Sequence, residues 1–192
     1  MDKTSISVLV PAYNEEFLIA ESLHRLRILR KCPYLEKIQI IVVNDGSTDN
    51  TAEVVNRFIN EQSNGCIEWV FIDQKKNAGK GKAIQEALNH ASCSISIVHD
   101  ADLEYHPKDI YRMLPLFLIE GADAVFGSRF TGSEFRRILF FRHELGNRFI
   151  TFICNLVSNL NLTDIETCYK AIKTDLLKSI PITSNDFRIE PE

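Results

Sequence analysis

The chain has 192 residues, 45% hydrophobic and 25% charged, with 22 Lys and Arg against 26 Asp and Glu for a net charge of −4. That length suits one domain with a single sizeable core, and the composition excludes a disordered, collagen-like or fibrous chain. No excess of positive charge is available to neutralise a phosphate backbone, so nucleic acid is disfavoured as a partner.

The pattern alternates short β-rich runs with helical stretches. Ser5–Val10 reads as a first strand, followed by Asn14 as an N-cap with Glu15 and Glu16 in a favourable first turn. Ile19, Leu23 and Leu26 then mark the buried face of a helix. Ile38–Val43 is a second strand, apolar enough to be buried on both faces. Ser47 or Thr48 caps the next helix, whose face is Thr51, Val54, Val55 and Phe58. Ile67–Ile72 is a third strand, followed by a helix over Lys80 to His90 with Ile84, Ala87, Leu88 and Ala91 inward. Ser94–Val98 is a fourth strand. Pro107 suits the first turn of a helix with Ile110, Met113, Leu114 and Phe117 inward, which Pro115 should kink. Ala122–Phe126 is a fifth strand. Further on, Leu145, Phe149, Phe152, Ile153, Leu156 and Leu160 fall on one helical stripe, read as core packing. Before and beside it, Phe135, Phe140 and Phe141 mix with Arg136, Arg137, Arg142 and Arg148, a mixture suited to a bilayer interface.

This βαβ series argues for an α/β fold with a mostly parallel sheet covered by helices on both faces. Ligands of such sheets bind outside the carboxyl ends of the strands. Those ends carry the polar punctuation: Pro11-Ala12-Tyr13-Asn14-Glu15, Asn44-Asp45-Gly46, Asp100-Ala101-Asp102 and Gly127-Ser128-Arg129.

Asp100-Ala101-Asp102-Leu103-Glu104 is the sharpest feature. In an extended segment these acids share a face, and their mutual repulsion is relieved by a divalent cation with hard oxygen ligands, Mg²⁺ or Mn²⁺. A solvated acidic turn is the competing reading. His99 and His106 flank the cluster. Asp45 precedes a Gly turn and can accept from a ribose or a base edge, or the segment is a plain turn and cap. Lys75 to Lys82 is rich in Gly and Lys but is not a phosphate loop. Lys76 stands where that motif needs Gly, and Ala83 where it needs Ser or Thr. A looser anion site at the helix N-terminus and a solvated cationic loop both fit. Arg129 suits bidentate contact with phosphate or carboxylate, or is a surface residue.

The five cysteines, Cys32, Cys66, Cys93, Cys154 and Cys168, contain no CxxC pair and are expected to be buried free thiols in a reducing cytoplasm. The first residues are too short an apolar run for a signal peptide, and no stretch reaches the ~20 apolar residues of a membrane span.

Taken together, the motifs resemble a family 2 glycosyltransferase with the GT-A fold, in the dolichol-phosphate mannosyltransferase-like branch. The resemblance rests on Val8 to Glu16, Val43 to Asp49, Asn77 to Gly81, Asp100 to Glu104, Gly127 to Arg129 and Thr163 to Lys170, in family order. It implies a Rossmann-like three-layer α/β/α domain over 1–192, with a nucleotide-sugar half over 1–130 and an acceptor half over 131–192. Pro11, Ala12, Tyr13 and Glu15 would hold the nucleotide, with Val43 and Asp45 at the base and ribose, Ala101 touching it through its backbone, and Lys80 in the same site. Asp100 and Asp102 would bind Mg²⁺ or Mn²⁺, with Glu104 completing the shell. Arg129 would contact the diphosphate or acceptor phosphate, and Asp164 would lie on the acceptor side as a base. The implied reaction is inverting transfer from a UDP- or GDP-sugar to a polyprenyl phosphate or cell-envelope glycan, in the cytoplasm or at its membrane face, with homodimerisation open. A donor-binding module without turnover is the alternative. Phe187 to Glu192 resembles the opening of a further motif, so the acceptor half is expected to be incomplete.

Overall fold

The computed structural model describes residues 2–62, 65–130 and 141–186. Its strands are β1 (Thr4–Ala12), β2 (Leu35–Asp45), β3 (Ile67–Gln74), β4 (Ile95–Val98), β5 (Ala124–Phe126) and β6 (Lys170–Lys173). The helices are α1 (Ile19–Leu26), α2 (Thr51–Glu61), α3 (Lys80–His90), α4 (Ile110–Leu118), α5 (Phe141–Ser158) and α6 (Thr174–Ser179). One sheet carries all six strands in the order β3-β2-β1-β4-β6-β5. β1 pairs in parallel with β2 and β4, and β2 with β3, while β6 runs antiparallel to β4 and β5.

The apolar run Ile40–Val43 of β2 follows from burial on both faces. Ile40 and Val42 join Ile6, Val8 and Val10 against Leu23 and Leu26 of α1 and Ile110 and Leu114 of α4. Ile41 and Val43 join Leu9 against Ala83, Ile84, Ala87 and Leu88 of α3. The result is the three-layer α/β/α arrangement, in which each fully buried Leu or Ile contributes about 1.5–3 kcal/mol. The chain builds β1, β2 and β3 outward on one side, then crosses back to set β4 on the other side of β1. That reversal opens a crevice at the carboxyl ends of β1 and β4.

Several local expectations change. Asn14 is not an N-cap: it has φ 55°, and α1 begins at Ile19. Ser47 and Thr48 do not cap α2, which starts at Thr51. The two loops exchange their polar groups instead. Asn14 N donates to Ser47 Oγ, Glu15 N to Thr51 Oγ1 and Glu16 N to Asp49 Oδ2, while Thr48 N donates to Asn14 Oδ1 and Asn50 N to Glu16 Oε2. α4 continues through Pro115, and Ile119 N still reaches the Pro115 carbonyl at 2.8 Å. Cys32, Cys93 and Cys168 are buried free thiols, but Cys66 is exposed and Cys154 half-buried.

The largest correction concerns α5. Leu145, Phe149, Phe152, Ile153, Leu156 and Leu160 are exposed, and the residues that the helix buries are Asn147 and Thr151. The inward face is polar because it meets a buried carboxylate, described below. Phe135, Arg136, Arg137 and Phe140 lie outside the described residues, as does Phe187 to Glu192. No helix among the described residues is long and apolar enough to cross a membrane.

His99 extends β4 by donating its backbone N–H to the Leu9 carbonyl at 2.9 Å. Its buried ring lies 2.9 Å from Tyr169 Oη through Nδ1 and 3.2 Å from Ser22 Oγ through Nε2, joining α1, β4 and the approach to β6. Burial lowers its pKa from 6.5 to about 4, against the opposing pull of Asp100. Between those values the unfolded imidazole binds a proton that the folded one does not, so stability falls as pH falls through this window. The shift corresponds to roughly 3 kcal/mol. Urea-unfolding stabilities of wild type and His99→Gln, followed from pH 7 to pH 4, are therefore expected to converge; parallel curves would contradict this account.

Candidate active site

The carboxyl ends of β1, β2 and β4 and the start of α3 enclose a cleft of about 460 Å³, within the range of small-ligand sites. β1 delivers Pro11, Ala12 and Tyr13, with Glu15 just beyond; β2 delivers Asp45. Gly79 and Lys80 come from the start of α3, and Asp100, Ala101 and Asp102 follow β4. Asn77, Ala83 and Asp186 also line it. Pattern alone did not single out Asp186, because it reaches the cleft only through the fold of the segment after α6.

Asp45 is 3% exposed, and its carboxylate accepts the backbone N–H groups of Ala78 and Gly79, each at 2.8 Å. Gly46 makes this possible. It has φ +63°, and a Cβ there would lie 2.5 Å from the backbone of Lys76 and Asn77. The Asn-Asp-Gly turn thus fixes the loop that forms one wall. Val43 is fully buried in the core and does not line the cleft.

Beyond β4 the acidic run is a turn rather than an extended segment. Leu103 has φ 63°, and Glu104 N donates to Asp102 Oδ1 at 3.0 Å. Asp100 and Asp102 line the cleft, whereas Glu104 is not among the lining residues. Burial raises the Asp102 carboxyl above its usual range, and Asp100 and Glu104 add to the rise against the Glu104 amide and Lys80. Glu15 is raised as well, by burial and then by Asp102, Asp49 and Asp100. The opposing charge comes from Lys80, whose Nζ lies 2.9 Å from both Asp100 oxygens.

Among the described residues, no group of three or more His, Cys, Asp or Glu is arranged to cage a metal. The pair Asp100 and Asp102 nevertheless suits Mg²⁺ or Mn²⁺, which commonly takes one or two carboxylates and completes its shell with phosphate oxygens and water. The N-terminus of α3 offers less to an anion than its spacing suggests. Lys82 N donates to the Asn185 carbonyl at 3.2 Å, and a Cβ at Gly81 would lie 2.1 Å from the Ser184 carbonyl. The strap formed by residues 182–186 occupies that end.

Arg129 and Asp164 meet outside this cleft. Arg129 Nε donates to Asp164 Oδ2 at 2.7 Å, its Nη2 to Oδ1 at 2.8 Å and its backbone N to Oδ2 at 3.0 Å. Asn147 Nδ2 adds a fourth bond at 2.8 Å, and Thr151 Oγ1 donates to Asn147 Oδ1 at 3.0 Å. The Asp164 side chain is wholly buried. Burial would raise its pKa, but the Arg129 and Asn147 bonds outweigh it and hold the carboxyl low. Its bond to Asp164 in turn raises the Arg129 pKa, against the effect of burial. Asn147 and Thr151 escape sequence reading because they are ordinary polar residues on a helix whose apolar stripe suggests the opposite face.

A model of the family described as Glycosyl transferase family 2 matches residues 7–180. An uncharacterized protein of Methanocaldococcus jannaschii is 32% identical over 183 residues, covering 94% of this chain and 69% of its own length. Undecaprenyl-phosphate 4-deoxy-4-formamido-L-arabinose transferase of Edwardsiella ictaluri is 26% identical over 193 residues, 95% of this chain and 56% of that protein. Among solved structures, glucosyl-3-phosphoglycerate synthase of Mycobacterium tuberculosis, in complex with Mn²⁺, UDP and phosphoglyceric acid, superposes with a TM-score of 0.72 at 21% identity. The match covers 98% of this chain and 62% of that one, and shows a shared GT-A fold.

The two kinds of carboxylate should respond oppositely to mutation. Asp164→Asn leaves the half-buried Arg129 guanidinium without its counter-charge and is expected to cost about 3 kcal/mol in urea unfolding. Asp102→Ala removes a mutually repelling charge and is expected to leave stability unchanged or raised. Equal losses from both would contradict the distinction.

Proposed function

The chain belongs to glycosyl transferase family 2, and from that premise we propose that it binds a nucleotide-diphosphate sugar in the cleft beside β1 and β4 and transfers the sugar with inversion. The observation that carries this reading is the convergence of Glu15, Lys80, Asp100 and Asp102 on one cleft at the carboxyl edge of the sheet. Pro11, Ala12 and Tyr13 would form the floor for the nucleotide, and Asp45 holds the loop beside it. Asp100 and Asp102 would hold Mg²⁺ or Mn²⁺. The bound cation supplies Lewis-acid stabilisation of the charge that grows on the departing diphosphate. Lys80, at the same wall, adds a second positive charge. A bond forms from the acceptor oxygen to the anomeric carbon as the bond from that carbon to the diphosphate oxygen breaks, and the electron pair leaves with the nucleoside diphosphate.

We read Asp164 as a residue that positions Arg129 rather than as the base. Its two oxygens already accept four hydrogen bonds, so it is badly placed to take a proton. This favours an acceptor that arrives ionised, such as a phosphate, over a hydroxyl that needs a base. The name of the Edwardsiella relative points to undecaprenyl phosphate, and the exposed apolar face of α5 is compatible with a hydrocarbon tail at a bilayer surface. Arg129, with its side chain 27% exposed, would meet the acceptor phosphate.

The test is release of nucleoside diphosphate from UDP- and GDP-sugars with Mn²⁺, in the presence of undecaprenyl phosphate in vesicles or of an oligosaccharide. Release is expected with the lipid phosphate and one donor base, falling by about 100-fold or more in Asp102→Ala. Undiminished release by Asp102→Ala would sink the proposal. Donor binding without release under any condition would instead favour a donor-binding module.

A further inference from the structure

Lys80 is placed in a way that donor binding alone does not explain. It is the first residue of α3, and its ammonium sits astride the Asp100 carboxylate, 2.9 Å from each oxygen. The pair is largely shielded, with the Lys80 side chain 11% exposed and that of Asp100 22%. An ammonium in this position covers the edge of the carboxylate along which a divalent cation would be chelated. Mg²⁺ approaches carboxylate oxygens to about 2.0–2.1 Å. A second cation at that distance would lie within a few ångströms of Nζ, where like charges repel strongly.

Lys80 and a metal are therefore alternatives at Asp100. The rest of the cleft makes the exchange informative. Asp102 and Glu15 line the same cleft, so it attracts cations overall. A divalent ion arriving alone must displace Lys80 from Asp100 at the cost of that ion pair. An ion arriving with a diphosphate brings Lys80 a new partner, because the same cleft wall presents Lys80 to the ligand. Resting on the donor-site reading above, we propose that Lys80 is a built-in counter-cation that must be displaced from Asp100, so that the divalent ion and the nucleoside diphosphate bind cooperatively rather than the ion binding first. By linkage, the ion must then strengthen diphosphate binding by the same factor that the diphosphate strengthens binding of the ion.

The test is electron paramagnetic resonance titration of Mn²⁺ into wild type, Lys80→Met, Lys80→Gln and Lys80→Arg, with and without UDP or GDP. Melting temperatures confirm that each variant folds. Mn²⁺ alone should bind Lys80→Met and Lys80→Gln about tenfold more tightly than wild type. The strengthening by nucleotide should shrink in both, and Lys80→Arg should stay near wild type. If Mn²⁺ alone binds the neutral variants no more tightly than wild type, while Mn²⁺ with nucleotide binds all of them, the counter-cation role is overturned and the donor site stands. If no variant and no wild-type sample binds Mn²⁺ even with nucleotide, the donor-site reading fails and this inference fails with it.

Discussion

Like charges crowd the carboxyl edge of the sheet, and their mutual repulsion is the constraint around which the rest of this molecule is arranged. Glu15 feels the charges of Asp102, Asp49 and Asp100, and with Asp45 these acids follow the carboxyl ends of the parallel strands β1, β2 and β4. Most of the charge is answered locally. Asp45 takes two backbone amides of the 78–79 loop. Asp49 accepts from Thr51 and Glu16, and these bonds hold its pKa low although burial works against them. Asp100 has Lys80. Asp102 and Glu15 are carboxyls whose pKa values rise, in both cases chiefly through burial.

The remainder of the structure holds that edge rigid. Both faces of β1 and β2 pack into the core just below the strand ends. His99 locks β4 to α1 and to Tyr169 one residue before Asp100. The exchanged hydrogen bonds between residues 14–16 and 47–51 tie the loop after β1 to the loop after β2. Outside the cleft a separate network, Arg129–Asp164–Asn147–Thr151, fixes the arginine that the strand-end pattern singled out. The two regions use carboxylates differently: Asp102 and Glu15 in the cleft have raised pKa values, whereas Asp164 is held low by four hydrogen bonds.

Much of this was legible in the amino-acid sequence. Periodic apolar spacing placed α3 at Lys80–His90 and gave the inward faces of α1 and α4, because burial on one face leaves a regular trace. The carboxyl-edge rule then selected Asp45, Asp100 and Asp102 correctly as a spatial group. What the sequence concealed depends on partners far along the chain. Asn14 and Ser47 look like helix caps in isolation, yet each serves the other's loop across 33 residues. The stripe of α5 suggested a core face, but the buried carboxylate of Asp164 claims the polar side of that helix instead. Glu104, which the extended-backbone reading placed on one face with the two aspartates, instead follows a left-handed Leu103 and is not among the residues lining the cleft. β6, contributed by a segment after α5 and inserted antiparallel beside β4, lay hidden in a short mixed run of Lys, Ala and Ile.

The central claim is that the cleft carboxylates form a donor site in which metal and nucleotide depend on each other. Calorimetric titration of UDP and of GDP, each with and without Mn²⁺, on wild type and Asp102→Ala tests it most directly. The account predicts that one nucleotide binds, that Mn²⁺ tightens its binding, and that the tightening disappears in Asp102→Ala. Binding of neither nucleotide, or binding indifferent both to Mn²⁺ and to Asp102, would contradict it.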